Sequence, residues 1–188
     1  MAKKVIFFLL LIALPAVAGS GFLWWRAERA VADLNKTLPE GVRVAKSWLG
    51  EEYKVVNKID GYEFKAPKAW RGIEEIEYVP ERTENSYTAS NISGSGREGH
   101  SRVFTIARFK ISGKDIDLKP WAENNFKAFG LTGNFYEEKL GEFKIIKATE
   151  EKYLAGMYVY FFYDSQTIFA ITNGSEEFIR EIILSGQW

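Results

Sequence analysis

One stretch has the spacing of a phosphate-binding loop: Gly94-Ser95-Gly96-Arg97-Glu98-Gly99 spells G-x-G-x-x-G. Such a loop works when a strand leads in and a helix leads out, so that phosphate meets backbone N–H groups at the helix N-terminus. Here Ser101-Arg102-Val103-Phe104-Thr105-Ile106 follows, with the alternation of a strand. The glycines are therefore read as a flexible hairpin loop. His100 is the only histidine, and beside Glu98 it has the chemistry of a general base. No serine stands in a recognisable nucleophile context around it, and the chain has no cysteine. It is read as a surface or strand-start histidine.

Two carboxylate groups, Glu74, Glu75, Glu77 and Glu137, Glu138, Glu142, have the hard oxygen ligands that calcium takes. Lysines and an arginine interleave with them, which describes a solvated face of mixed charge. The patterns H-E-x-x-H, S-x-x-K and G-x-S-x-G do not occur. No catalytic residue, cofactor-binding residue or metal ligand is assigned, and no cofactor is expected. Asn35, Asn91 and Asn173 begin N-x-S/T sequons, which matter only in a eukaryotic secretory pathway. Tyr158, Tyr160, Phe161, Phe162 and Tyr163 have the area to line a ligand groove, but consecutive aromatics on a two-faced strand are read as core.

The elements that must carry these residues centre on the last third of the chain. Met157 to Tyr163 is apolar on both sets of a period-2 strand, and Thr167 to Thr172 reads as its return after Asp164-Ser165. Glu176 to Leu184 is helical, with Phe178, Ile179, Ile182 and Ile183 on one stripe and either Asn173 with Glu176, or Ser175 alone, as candidate caps. A hairpin apolar on both faces needs cover on both. The second helix is expected from Leu118 to Gly130: Asp117 caps, Pro120 lies in the first turn, and Leu118, Trp121, Ala122, Phe126 and Phe129 share a face. Further strands are expected at Val42–Val44, Tyr53–Val56, Gly61–Ala66, Ile73–Val79, Arg102–Ile111, Phe135–Leu140 and Phe143–Thr149. Ser86–Ser93 is expected as a polar edge strand, and Ser93–Gly99 as a loop.

The N-terminus differs in kind. After Lys3-Lys4, the run from Val5 to Trp25 has no charge, and as a helix it would span roughly 30 Å, the hydrocarbon thickness of a bilayer. A cleaved signal peptide would use Ala16-Val17-Ala18 before Gly19. It would leave Phe22-Leu23-Trp24-Trp25 as an exposed tail, so a retained signal-anchor is favoured, with Trp24-Trp25 at the far interface. The short N-terminal flank favours an extracytoplasmic C-terminal domain. The organisation expected is a transmembrane segment over 1–25, a helical stalk over 26–41 and a globular domain over 42–188.

With 46% hydrophobic and 15% aromatic residues, the 188-residue chain can bury one sizeable core. Basic and acidic residues both total 25. Setting Lys3 and Lys4 aside leaves the rest mildly acidic, so nucleic acid is not an expected partner. The lack of cysteine excludes disulfides, Cys-ligated zinc and thiol catalysis.

The order of elements resembles the PsbP-like α/β/α sandwich superfamily. The resemblance is carried by Gly61-Tyr62-Glu63-Phe64-Lys65-Ala66-Pro67-Lys68-Ala69-Trp70, similar to that family's opening strand-Pro-x-x-Trp. The capped helix Leu118 to Gly130, the closing strand–hairpin–helix and the tail Ser185-Gly186-Gln187-Trp188 also carry it. The chain looks most like small, membrane-anchored bacterial members. The resemblance implies an α+β fold, a mostly antiparallel sheet with helices on both faces, and transfers no functional residue. The function expected is that of a membrane-anchored, extracytoplasmic and non-enzymatic binding domain for a protein partner. A small hydrolase or ligand-sensing domain, its site dispersed around His100, is the alternative.

Overall fold

A computed structural model describes residues 22, 24–47, 52–81, 87–96, 101–111, 116–149, 158–164 and 166–188. The chain divides into two units, residues 1–37 and 38–188. The first unit contains a helix, α1, over residues 24–37. The Arg29 guanidinium lies 5.3 Å from the centre of the Trp25 ring. Lys36 donates to Asp33 at 2.8 Å, and the Thr37 hydroxyl donates to the Leu34 carbonyl. Leu38-Pro39 ends the helix, because proline's ring disfavours helical backbone in the residue before it.

Among the described residues, no helix is long and apolar enough to cross a membrane. α1 carries Arg26, Glu28, Arg29, Asp33 and Lys36, all beyond Trp25, and a basic or aspartate side chain at mid-bilayer costs about 3 kcal/mol, so α1 is not itself a spanning helix. The expected transmembrane segment, the single-pass anchoring through Val5–Trp25 and the localisation drawn from it are thus not supported. Residues 5–21 and 23 of that run lie outside the described residues.

The second unit is built mostly of antiparallel strands. Three make a small sheet in the order β1-β2-β3: β1 (Val42–Lys46), β2 (Tyr53–Asn57) and β3 (Tyr62–Lys65). Seven make a large one: β4 (Trp70–Val79), β5 (Tyr87–Gly96), β6 (Ser101–Lys110), β7 (Asn134–Leu140), β8 (Phe143–Thr149), β9 (Tyr158–Asp164) and β10 (Thr167–Thr172). Their spatial order is β4-β5-β6-β10-β9-β8-β7, antiparallel at every pair, with β4 and β7 at the edges. Among the described residues the unit also holds two helices, α2 (Leu118–Ala128) and α3 (Glu176–Ser185).

Each helix begins where its side chains can hold free N–H groups. Asp117 accepts from the Lys119 N–H at 3.3 Å, and the Ser175 hydroxyl accepts from the Phe178 N–H at 3.4 Å. Gly130, at φ 70°, turns the chain out of α2. α2 buries Leu118, Ala122 and Phe126 against Phe109, Ile146, Phe161, Ile168 and Ala170 of the large sheet. This layer is rich in edge-to-face aromatic contacts, such as Phe126 with Phe161 at 5.9 Å.

The opposite face is covered differently from the expected sandwich. There Phe104, Tyr160, Phe162 and Phe169 are fully buried, and the cover is shared between α3 and the small sheet. Phe64 of β3 meets Phe104 at 5.7 Å, Tyr62 meets Phe169 at 6.1 Å, and Trp188 meets Phe162 at 4.9 Å. α3 adds Phe178, Ile179, Ile182 and Ile183. Among the described residues the architecture is therefore mainly β, ten strands in two sheets, and neither an α/β/α sandwich nor a PsbP-like fold. The physical reason lies in the segment before Trp70: its strands bury Val42, Val44, Val55, Tyr62 and Phe64. They form a sheet of their own that lies over the large one.

β5 also departs from expectation. It is an interior strand between β4 and β6 rather than an edge, and it runs through Gly94 and Gly96. The ring of Trp70, on the neighbouring strand, lies against Gly94 where a Cβ would stand, so the neighbour supplies the apolar cover that glycine lacks. β4 takes the edge, with register shifts between Trp70 and Gly72 and between Ile73 and Glu75.

Candidate functional site

The structure disperses the residues that carried chemical spacing. Gly94, Ser95 and Gly96 belong to β5, whereas Arg97, Glu98, Gly99 and His100 lie outside the described residues. Glu75 and Glu77 are exposed on the edge strand β4, and Glu77 accepts from the Asn91 amide at 3.0 Å. Glu137 pairs with Lys144 at 3.0 Å, and Glu142 is exposed in the turn between β7 and β8. Among the described residues, no three acidic or histidine side chains gather as a metal site. Of the sequon asparagines, Asn35 is helical, Asn91 bonds within the sheet, and Asn173 adopts φ 66° before α3. Tyr160, Phe161 and Phe162 are core residues rather than a groove.

One polar cluster has no counterpart among the expected sites. Asp60, in the turn between β2 and β3, is 3% exposed. The turn forms because the Asn57 side-chain oxygen accepts from the N–H groups of Ile59 and Asp60, at 3.0 and 2.9 Å. This directs Asp60 onto the large sheet. One carboxylate oxygen accepts from Thr88 at 2.7 Å and Tyr78 at 3.3 Å, with an Arg108 guanidinium nitrogen 3.8 Å away. The other oxygen accepts from the Asn57 amide at 3.0 Å. Beside it, the Tyr62 hydroxyl donates to Ser90 at 2.9 Å. Burial pushes the Tyr62 hydroxyl up to about 12, and burial followed by the Asp60 carboxylate raises Tyr78. Both phenols therefore remain donors at neutral pH. A carboxylate so enclosed is a tie between two sheets, with no oxygen turned towards solvent for proton transfer. The sequence signal was the Asn57-x-x-Asp60-Gly61 turn, which carries no catalytic signature.

A second network lies under α3. Arg180 donates to Glu138 of β7 at 2.6 Å and to Glu176 at 3.1 Å, and Lys147 of β8 donates to Glu176 at 2.7 Å. The Lys147 ammonium lies 3.9 Å from the centre of the Tyr158 ring. The hydrogen bond from Lys147 is the main cause holding the Glu176 carboxyl below its usual range. Burial raises the nearby Tyr160 hydroxyl. These charges are matched within the network, which fixes α3 to the β7 side of the sheet.

An open hollow of about 470 Å³ lies where β8 begins and β9 ends. Phe143 and Trp188 form its half-buried aromatic walls, Tyr163 borders it with its ring packed on the α2 side of the sheet, and Glu142, Lys144, Asp164 and Gln187 supply charge and hydrogen bonding. Trp188 is fixed: its indole N–H donates to the Ile183 carbonyl at 3.2 Å, and its ring meets Phe162 at 4.9 Å. Gln187 exchanges two backbone hydrogen bonds with Glu63 of β3, at 2.7 and 2.8 Å. The aromatic residues here were visible in the sequence, but their convergence comes from the tail folding back along β3. In comparisons with known proteins, no family model, no curated protein and no solved structure matches this chain.

Proposed function

We propose that residues 38–188 form a non-enzymatic binding domain that takes its ligand in the hollow beside Trp188. The observation that carries this reading is the hollow itself: two aromatic walls, Phe143 and Trp188, with charged groups at the rim, one wall pinned before any ligand arrives. Walls fixed in advance spare a ligand the entropy of ordering them. Aromatic faces attract flat and cationic groups. The rim carries two carboxylates, Glu142 and Asp164, against one lysine that is already paired with Glu137. A basic side chain of a peptide partner suits that balance. The non-enzymatic part is supported by Asp60, whose carboxylate is enclosed by donors, and by the matched charges around Arg180. The alternative around His100 has no described residue to favour it.

The test is an NMR titration of the labelled full chain with short peptides, one set carrying Arg or Lys beside an aromatic and one set acidic. Saturable shifts at the Trp188 indole and at the Tyr163 and Gln187 amides are expected with the basic set, weakened in Asp164→Asn. If neither set gives saturable shifts there, or Asp164→Asn binds as the parent does, the reading fails.

A further inference from the structure

We propose that two copies of this chain pair through β7, edge to edge and antiparallel, joining their large sheets across a two-fold axis. The two edges of the large sheet differ in how they meet solvent. β4 is interrupted by two register shifts and bears Glu74, Glu75 and Glu77, a run of like charge. Bulges and like charges both deter strand addition. β7 is the opposite case. Its pairing with β8 is unbroken from Asn134 to Leu140, so its other side is a regular seven-residue edge. Tyr136 on that strand is 53% exposed.

The side chains of β7 complement their own copy in one register. Side chains opposite one another on antiparallel strands share a face. Placing Glu138 opposite Glu138 of the second copy sets Glu137 opposite the second copy's Lys139, and Tyr136 opposite its Leu140, each twice. Glu137 and Lys139 are both exposed, so two opposite-charge pairs form. The two Glu138 carboxylates do not meet as bare charges, because Arg180 holds each at 2.6 Å. Leu184, itself 57% exposed, lies over Gly141 next to Leu140. A Tyr136 arriving opposite Leu140 covers it. Two exposed apolar side chains per copy are thereby buried in the register that the charges select. One seven-residue seam is small among specific interfaces, so the association is concentration-dependent rather than permanent.

The test uses sedimentation velocity on the full chain over a concentration series. Glu137→Lys and Lys139→Glu each turn both cross-strand pairs repulsive, and each is expected to weaken self-association about tenfold or more. An equimolar mixture of the two variants restores both pairs in a heterodimer and should associate at least as well as the parent chain. Glu137→Lys also loses the internal pair with Lys144, but mixing does not repair that pair, so recovery on mixing reports the seam alone. A parent chain that stays monomeric at every concentration overturns the proposal, as does association unaffected by either reversal or a mixture that does not recover.

Discussion

Removing the Asp60 carboxylate should cost more than removing any exposed charge in the protein. In Asp60→Ala, Thr88 and Asn57 lose an acceptor in a place water does not reach, and the Tyr78 hydroxyl loses its bond. The Arg108 side chain, 20% exposed, keeps its charge without the carboxylate 3.8 Å away. Its Nε already has no hydrogen-bond partner. Breaking a buried pair by deleting one member typically costs about 3–5 kcal/mol, because the surviving charge and donors stay desolvated. That is a large share of the ~5–15 kcal/mol by which domains are stable. Urea unfolding followed by tryptophan fluorescence reads the loss as a lowered midpoint at unchanged slope. Because the penalty resides in what is left behind, adding Arg108→Met to Asp60→Ala should recover about 1 kcal/mol or more. A loss below about 1 kcal/mol in the single variant, or no recovery in the double, would show that Asp60 does not tie the sheets.

The two core layers should behave independently. Phe126→Ala under α2 and Ile182→Ala under α3 should each cost about 2–5 kcal/mol in the same urea assay. Their costs should add to within about 0.5 kcal/mol, since the large sheet separates them; a strong coupling would contradict that placement. Alkaline pH should act through Tyr62, whose folded-state value is raised to about 12 against an ordinary value of 10.0. The protonated phenol is favoured in the fold, so its stabilisation is whole below pH 10 and is lost as pH rises towards 12. Tyr62→Phe should therefore give a shallower alkaline loss in pH-dependent urea midpoints, and an unchanged slope would refute the assignment.

The helices were readable because their signals are local. Asp117, Pro120 and the Leu118, Ala122, Phe126 spacing are a cap, a first turn and a face within one short segment. Ser175 and the stripe through Ile183 do the same for α3. The small sheet was visible only as separate strands. Val42, Val55 and Phe64 show an apolar face, but nothing in their spacing says that the face they cover belongs to Phe104 and Phe169. β5 failed for a related reason. Its Ser-Gly composition reads as an edge running into a loop, because the side chain that fills its face belongs to Trp70 on another strand. Of the candidate sites, Asp60 was hidden inside an ordinary turn. The hollow beside Trp188 depends on Gln187 pairing with Glu63, a contact between distant parts of the chain.

The strand order carries a consequence for synthesis. The large sheet is two meanders, β4-β5-β6 and β10-β9-β8-β7, sewn together at one seam that pairs Thr105 with Thr172 and Lys110 with Thr167. Within each meander, neighbours in space are neighbours in sequence, so short loop closures assemble it quickly. The seam requires a long closure, and β10 is the last strand to leave the ribosome. Until then β6 presents an open side, bearing Phe104, Ile106 and Phe109 with no partner strand, and an unpaired edge of that kind recruits other chains. An interior junction of the finished sheet is thus an open edge while the chain is being made.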